Sequence, residues 1–496
     1  MPRVIRKTMR LYFMGICGTG MGNAALIAFE LGNVVYGADS RFYPPMSEVL
    51  EDAAITVFEG YDAERLAKLA PDLVVLGNGV SRGHPEAEAL LRMRSQRFTS
   101  LPAFLYEHVL RERLTIVAAG THGKTTTTCM TAYLLKALGC EPGYLIGGVP
   151  CDLPAGARVG DTSAPFVIEG DEYDSAFFDK RSKFIHYAPQ ILIINNVEFD
   201  HADIFRDLED VQRSFRHVLR LVPDNGFVLI NGDDANCEAL LPAPWTQVLR
   251  VGTGPGNDLR IQNFMESAEG SAFELHWRGQ LWESVRLRTG GLYNARNAAM
   301  AALASGLALN TEHPTQISLK ALAGFQGVKR RQEVLSEGED WVVIEDFGHH
   351  PTAIQATLSS LRVRYPDYQI SACFEPRSNS ARTRVFQEGF TQALRQADRV
   401  FIAPVYRADH IPPEERLNTH QMARDLTRYG CLASASTDNM ILLESAITIY
   451  KQARKDKKQL FCFFSNGSFD GVMRALGAHF QTLHSSLAKG CSQEPD

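Results

Sequence analysis

No stretch of this 496-residue sequence approaches the run of about 20 apolar residues that crosses a bilayer as a helix, so no membrane span is expected. The opening MPRVIRKTMRLYFMGICGTG is basic and then apolar. Glycines interrupt it where a signal peptide would continue, and it reads as a strand entering a turn. The nine cysteines (Cys17, Cys129, Cys140, Cys151, Cys237, Cys373, Cys431, Cys462 and Cys491) include no C-x-x-C pair and are odd in number. That argues against a disulfide framework and for a reduced, cytoplasmic setting. Basic excess is missing too: the formal net charge of -6 offers neither a nucleic-acid footprint nor a polybasic membrane patch. Solenoid repeats and low-complexity tracts are absent, and KQARKDKKQ near the C-terminus reads as the solvated end of a helix.

What is present is a globular composition on a chain too long for one ordinary core, so about three domains are expected. Three times an apolar strand runs into a glycine or polar turn and then into a helical pattern, the signature of α/β units. These units are LYFMGICGTGMGNAALIAFELG, LTIVAAGTHGKTTTTCMTAYLLKALG and WVVIEDFGHHPTAIQATLSSLRVRYP. The first should be a Rossmann-like half, with a strand over Leu11 to Met14, a helix stopping at Gly32, and a second strand ending in Asp39. LYEHVLRERL reads as a polar helical connection. The middle unit adds the strands FVIEGDEYD, ILIINNVEFDH and GFVLINGDD, a β-rich segment from Gln247 to Leu287, and an alanine-rich helix opened by GLYNARNAAMAALASGLAL. The third alternates WVVIEDF, YQISACFEP, RVFIAPV and KQLFCFFSNG with helices, as in an open parallel sheet. The expected domains span residues 1–112, 113–328 and 329–496.

GTHGKTTTT lies between a strand and a helix, where a phosphate loop must lie. Backbone N–H groups from Gly120 to Thr125 would point at phosphates, Lys124 would neutralise their oxygens, and the Thr125 hydroxyl would complete a metal shell. The pattern G-x-x-x-x-G-K-S/T is met except at its first glycine, which is Ala118. Glu169 and His201 fall at the ends of predicted strands, where doubly wound sheets collect their sites, and are candidate metal ligands beside the loop. The turn carrying Gly15, Gly18, Gly20 and Gly22 does not fit G-x-G-x-x-G, although Asp39 stands where a ribose-binding acid would; a nucleotide diphosphate suits it. His349 and His350 are adjacent on a strand-to-helix turn and point apart, so a helix-start role beside Pro351 suits one of them. Arg377, in EPRSNS, sits at another strand end and could grip a carboxylate bidentately.

GTHGKTTTT, EGDEYDSAFFD, NNVEFDHADIF, GLYNARNA, GVKRRQE and EDFGHHPTAI, in this order and across nearly the whole chain, resemble the ATP-dependent Mur ligase family of cell-wall precursor enzymes. The resemblance implies three α/β domains: an N-terminal Rossmann-like domain for the UDP-sugar, a central P-loop ATPase with a mixed sheet, and a mobile C-terminal Rossmann-like domain. DFGHHPT and GICGTGMG resemble the branches that use UDP-N-acetylmuramate. One of these adds L-alanine in peptidoglycan biosynthesis; the other adds L-Ala-γ-D-Glu-meso-diaminopimelate in peptidoglycan recycling. FDKRSKFIHY, EFDHADIF, FEPRSNS and FSNGSFDG match the peptide-adding branch, and Arg377, Ser378 and Asn379 replace an H-R-Y cluster usual in the alanine-adding one. A nucleotide-dependent regulator and an NAD oxidoreductase are more distant readings.

Carried over by motif, the resemblance implies that Gly120, Thr121, His122, Gly123, Lys124, Thr125, Thr126, Asn294, Asn297, Arg331 and Asp346 bind ATP. Thr125, Glu169 and His201 hold magnesium, and Lys124, Arg331 and His349 serve catalysis. Gly15, Cys17, Gly18, Thr19, Gly20, Met21, Asp39, Asn78 and Ser81 bind the UDP-sugar, while Arg377, Ser378, Asn379 and Arg407 bind the peptide. Tyr293 stands where the family usually has histidine, Gly170 replaces a customary alanine, and VQRSFRHVLR offers no lysine for the carbamylation found in some relatives.

Overall fold

The computed structural model describes residues 8–42, 46–453 and 457–490; Cys491, the basic opening at residues 2–7 and part of KQARKDKKQ lie outside them. Of KQARKDKKQ, residues 451–453 end the helix Asn439–Ala453 and residues 458–459 open a strand. Among the described residues no helix is long and apolar enough to cross a membrane.

The first sheet contains β1 (Arg10–Met14), β2 (Val34–Asp39), β3 (Thr56–Glu59), β4 (Leu73–Leu76) and β5 (Phe98–Ser100) in the order β3-β2-β1-β4-β5, all parallel. Leu11 to Met14 are buried without alternation, as befits a parallel strand covered on both faces. Strand order reverses between β1 and β4, and the glycine turn follows β1 at that switch point. The helix Thr19–Glu30 ends ahead of Gly32, whose φ of +83° is the left-handed stop its sequence anticipates. The connection LYEHVLRERL is helical, but Tyr106–Leu110 winds as a π-turn after the short helix Leu101–Leu105.

The central sheet has ten strands: β6 (Thr115–Ala119), β7 (Gly143–Leu145), β8 (Ala157–Arg158), β9 (Phe166–Gly170), β12 (Ile191–Ile194), β13 (Phe227–Asn231), β14 (Gln247–Gly252), β15 (Leu259–Ser267), β16 (Gly270–Trp277) and β17 (Gln280–Leu287), with β10 (Asp174–Ala176) and β11 (Asp179–Ser182) forming a separate hairpin. Its order is β17-β16-β15-β14-β13-β12-β6-β9-β7-β8. The middle is parallel and both ends turn antiparallel, so the sheet is mixed. Met130, Leu134 and Leu135 of the helix Lys124–Ala137 are fully buried against it. The helix Leu292–Leu309 is apolar on nearly every face because it is enclosed, and its alanines let it lie against Lys124–Ala137.

The third sheet contains β18 (Glu333–Glu337), β19 (Trp341–Asp346), β20 (Tyr368–Phe374), β21 (Arg399–Ile402), β22 (Leu432–Ala435) and β23 (Lys458–Phe464), in the order β18-β19-β23-β20-β21-β22. Only β18, at the edge, is antiparallel. One apolar cluster runs without a break from the N-terminal sheet into the central one, joining Phe13, Leu101 and Phe104 to Phe184, Tyr187 and Phe215. The two clusters of the third sheet contain no residue from before Trp341.

Candidate active site

Both glycines of the phosphate loop are required by backbone geometry. Gly120 has φ of +129° and Gly123 has φ of +82°; a Cβ on Gly123 would lie 2.6 Å from Asn297 Oδ1. Behind the loop, Asn195 Nδ2 donates to Thr127 Oγ1 at 2.8 Å and to Asn297 Oδ1 at 3.2 Å, and Asn297 Nδ2 donates to Asn294 Oδ1 at 3.3 Å. Asn294 donates in turn to Gly290 O at 2.7 Å. Asn294 and Asn297 are thus buried in an amide chain that ties the loop to the helix Leu292–Leu309.

Not every loop N–H faces outward, as the sequence reading had it. Thr121 N donates to Asn196 O at 3.1 Å and His122 N donates to Asn196 Oδ1 at 2.7 Å. Asn196 claims those two donors because β12 ends beside the loop. What remains for an anion is the helix start from Gly123 to Thr126, where no side chain caps the N-terminus.

Lys124 Nζ donates to the two oxygens of Glu172 at 2.7 and 3.0 Å, and to Gly120 O at 2.9 Å. Burial disfavours the ammonium, but Glu172, Asp171 and Glu169 outweigh it and hold its pKa above the ordinary value. His201 Nε2 lies 3.0 Å from the same Glu172. Burial opposes the charge of this ring as well; the Glu172 carboxylate reverses that and raises its pKa. His201 itself adopts φ of +55°. Glu169 takes the other side: Thr125 Oγ1 donates to it at 3.2 Å, and Gly147 N–H donates to it as well. Burial raises the Glu169 pKa, with the Gly147 N–H, Arg331 and Lys124 pulling it back. Hard oxygens from Thr125 and Glu169 therefore converge beside the loop, the donor chemistry magnesium takes, while the His201 ring nitrogen lies on Glu172.

The C-terminal domain closes this region from above. Arg331 lies over the Phe347 ring at 4.6 Å and its guanidinium reaches Thr125 Oγ1 at 3.4 Å. Asp346, at the end of β19, accepts from Gly348 N at 2.7 Å and Gln332 N at 3.0 Å, which fixes the turn carrying Arg331. His349 Nδ1 lies 3.0 Å from Phe347 O and its Nε2 3.8 Å from Asp200 Oδ2; burial lowers its pKa, with Asp200 pulling it back. His350 caps the helix Pro351–Arg364, with Pro351 in its first turn, as the sequence suggests. Tyr293 meets Gln332 and Thr357 of this domain, the latter at 3.3 Å.

Arg377 stacks on Tyr406 at 3.8 Å and is held by Glu375 at 3.3 Å, while the exposed Arg407 lies 5.3 Å from the same ring at φ of +47°. Asn379 Nδ2 donates to Asp203 Oδ2 at 2.8 Å, and Ser378 Oγ accepts from Ala381 N at 3.1 Å. In the N-terminal domain Gly15 has φ of +79° and Cys17 N donates to Asp39 Oδ2 at 2.9 Å. Asp39 thus braces the turn that Gly18, Thr19, Gly20 and Met21 carry into their helix. Asn78 and Ser81 are exposed on the loop after β4, across the switch point.

Several residues at this junction were not singled out from sequence: Glu172 was one acid in a run, while Asn195, Asn196, Glu198 and Asp200 went unassigned beside His201. The signal was available, because NNVEFDH as a whole sits at the C-terminal end of β12, where such sheets gather sites.

The chain matches the Mur ligase family, catalytic domain over residues 10–112, the Mur ligase middle domain over 118–305, and the Mur ligase, glutamate ligase domain over 330–462. It is 42% identical over 394 residues to the UDP-N-acetylmuramate–L-alanyl-γ-D-glutamyl-meso-2,6-diaminoheptandioate ligase of Haemophilus influenzae, covering 79% of this chain and 85% of that protein. A UDP-N-acetylmuramate–L-alanine ligase of Leuconostoc citreum is 32% identical over 469 residues, covering 92% and 97%. A crystal structure of a murein peptide ligase from Psychrobacter arcticus matches with a TM-score of 0.67 at 34% identity, over 95% of this chain and 99% of that one. Identity of this order, with one family model fitted to each of the three sheets, makes the chain a member of the Mur ligase family.

Proposed function

We propose that this protein uses ATP to join UDP-N-acetylmuramate to L-Ala-γ-D-Glu-meso-diaminopimelate through an amide bond, in the recycling of peptidoglycan in the cytoplasm. A carboxylate has no leaving group at neutral pH, so an amine cannot displace its oxygen directly. The lactyl carboxylate attacks the γ-phosphorus of ATP in line, ADP departs, and an acyl phosphate forms. The alanyl amine then attacks the acyl carbon, loses a proton, and inorganic phosphate leaves.

The observation that carries this reading is the junction at Lys124 and Thr125. The phosphate-loop cation and hydroxyl meet Glu172 and Glu169 of the central domain and Arg331 of the C-terminal one within one enclosed region. Lys124 exchanges Glu172 for the β- and γ-phosphate oxygens, and Arg331 approaches the same charge from the other domain. Magnesium, held by Thr125 and Glu169 with His201 alongside, would add positive charge against the transferring phosphoryl group. Gly15, Cys17, Gly18, Thr19, Gly20, Met21, Asp39, Asn78 and Ser81 form the UDP-sugar end at the switch point of the first sheet. Arg377, Ser378, Asn379 and Arg407 form the peptide end, where the stacked guanidinium of Arg377 suits a carboxylate. Closure of the C-terminal domain keeps water from the acyl phosphate.

Phosphate release should be measured with UDP-N-acetylmuramate and either the tripeptide or free L-alanine. The tripeptide is expected to give a kcat/KM at least about tenfold higher, a difference of roughly 1.4 kcal/mol in transition-state binding. Equal or greater activity with L-alanine would assign the protein to the alanine-adding branch instead.

A further inference from the structure

A second group of ligand-type side chains lies at the same domain junction, outside the set described above for magnesium. His122 of the phosphate loop, Glu198 after β12 and His350 at the start of a C-terminal helix bring one ligand atom each to within 4.8 Å of the others. Glu198 Oε2 is shared: it lies 3.1 Å from His122 Nε2 and 3.1 Å from His350 Nδ1. Among the described residues this is the one group of three or more His, Cys, Asp or Glu drawn so close together.

Proton bookkeeping at His350 points to a cation. Its Nε2 lies 3.2 Å from Phe199 O, which can only accept, so that nitrogen carries the proton. The other nitrogen, Nδ1, faces a carboxylate oxygen, another acceptor. Two lone pairs at 3.1 Å repel unless a positive charge lies between them. A second proton would place an imidazolium on a buried ring that lies 4.7 Å from the His122 ring. The opposite tautomer only moves the conflict to Phe199 O.

A ring N–H donating to a backbone carbonyl is the outer-partner arrangement of metal-bound histidines, and it leaves Nδ1 free to ligate. Two imidazoles and one carboxylate with an open fourth position suit zinc or a similar borderline ion, at about 2.0–2.2 Å to each ligand. We propose that His122, Glu198 and His350 form a site for a divalent ion of the zinc class that bridges the central and C-terminal domains. The ion ties the phosphate loop to the first turn of the helix Pro351–Arg364. It is separate from the magnesium ligands, so the two sites discriminate by donor chemistry: imidazole nitrogen at one, hard oxygen at the other.

The test uses the full-length, chelator-stripped protein titrated with Co(II), read by its visible absorption, and with Zn(II), read by calorimetry, both in saturating Mg(II) without nucleotide. One equivalent of each is expected to bind, with the intense Co(II) bands of low coordination number. Glu198→Gln and His350→Asn should weaken binding by more than the roughly tenfold that loss of an outer partner costs. Asparagine keeps the helix cap, and circular dichroism verifies the fold of each variant. Glu169→Gln should leave the Co(II) spectrum unchanged. The proposal fails if wild type binds no equivalent under excess magnesium, if both ligand variants bind as wild type does, or if Glu169→Gln abolishes the signal.

Discussion

The central domain meets its two neighbours in opposite ways. Toward the N-terminus the contact is apolar: Phe104 packs edge-on to Phe13 at 5.6 Å and belongs to the same buried cluster as Phe184 and Phe215 of the central domain. Toward the C-terminus no buried apolar cluster is shared, and beside ring contacts such as Phe199 on Phe386 at 6.1 Å the contacts are polar and discrete. Ala202 N donates to Ser380 Oγ at 3.1 Å, Asn379 reaches Asp203, Arg331 reaches Thr125, and His350 reaches Glu198. A shared core cannot separate without exposing apolar surface at about 25 cal/mol per Å², whereas each polar pair can trade its partner for water at a net cost near 1 kcal/mol. The difference teaches which boundary is hinged. Under the proposed function, the UDP-sugar end would move with the phosphate loop, and the Arg377 end would open and close over it.

The largest effect should come from the apolar side. Phe104→Ala is expected to cost about 3–5 kcal/mol, and to lower the stability of the N-terminal and central domains together. Denaturation followed by far-ultraviolet circular dichroism, with limited proteolysis to report each domain, checks this. Loss confined to the N-terminal domain would mean that the shared cluster does not couple the two.

A smaller effect of a different kind is expected on the polar side. Ser380→Ala removes the acceptor for Ala202 N, and Asp203→Ala removes the acceptor for Asn379; neither side chain belongs to the proposed binding sets. Each should change stability by no more than about 1 kcal/mol. The proposed mechanism needs the closed geometry for turnover, so phosphate release with all three substrates should fall about tenfold, with UDP-sugar affinity unchanged. A large stability loss with normal turnover would reverse the comparison and make the C-terminal boundary structural.

The local elements were legible from sequence, and the two domain boundaries were not. The strand and helix runs around LYFMGICGTG, LTIVAAGTHGKT and WVVIEDFGHHP show their period and their stops locally, so Gly32 and the His350–Pro351 helix start could be read residue by residue. The phosphate loop was equally plain because Gly120, Gly123 and Lys124 are close neighbours in the chain. What escaped was pairing over long separations. Asn196 taking the N–H groups of Thr121 and His122, and Glu172 joining Lys124 to His201, depend on β6, β9 and β12 lying side by side. No local pattern encodes that adjacency. Glu198 meeting His350 requires docking of a whole domain, and single residues in NNVEFDH carry no mark of which neighbour they face.

Of the polar bonds on the apolar side, the buried one isolates the role of environment. Asn23, buried on the helix Thr19–Glu30, donates through Nδ2 to Ile146 O at 3.0 Å across the N-terminal boundary. Chemically it is the same sort of contact as Ala202 to Ser380. If the boundary sets the outcome, Asn23→Ala should cost about 1–2 kcal/mol, because the Ile146 carbonyl is left without its donor in a dry seam, and phosphate release should stay within about twofold. Thermal denaturation and a turnover assay on the same sample separate the two readouts. Turnover falling with stability intact would mean that the N-terminal boundary also opens during the cycle, and that its apolar packing slides.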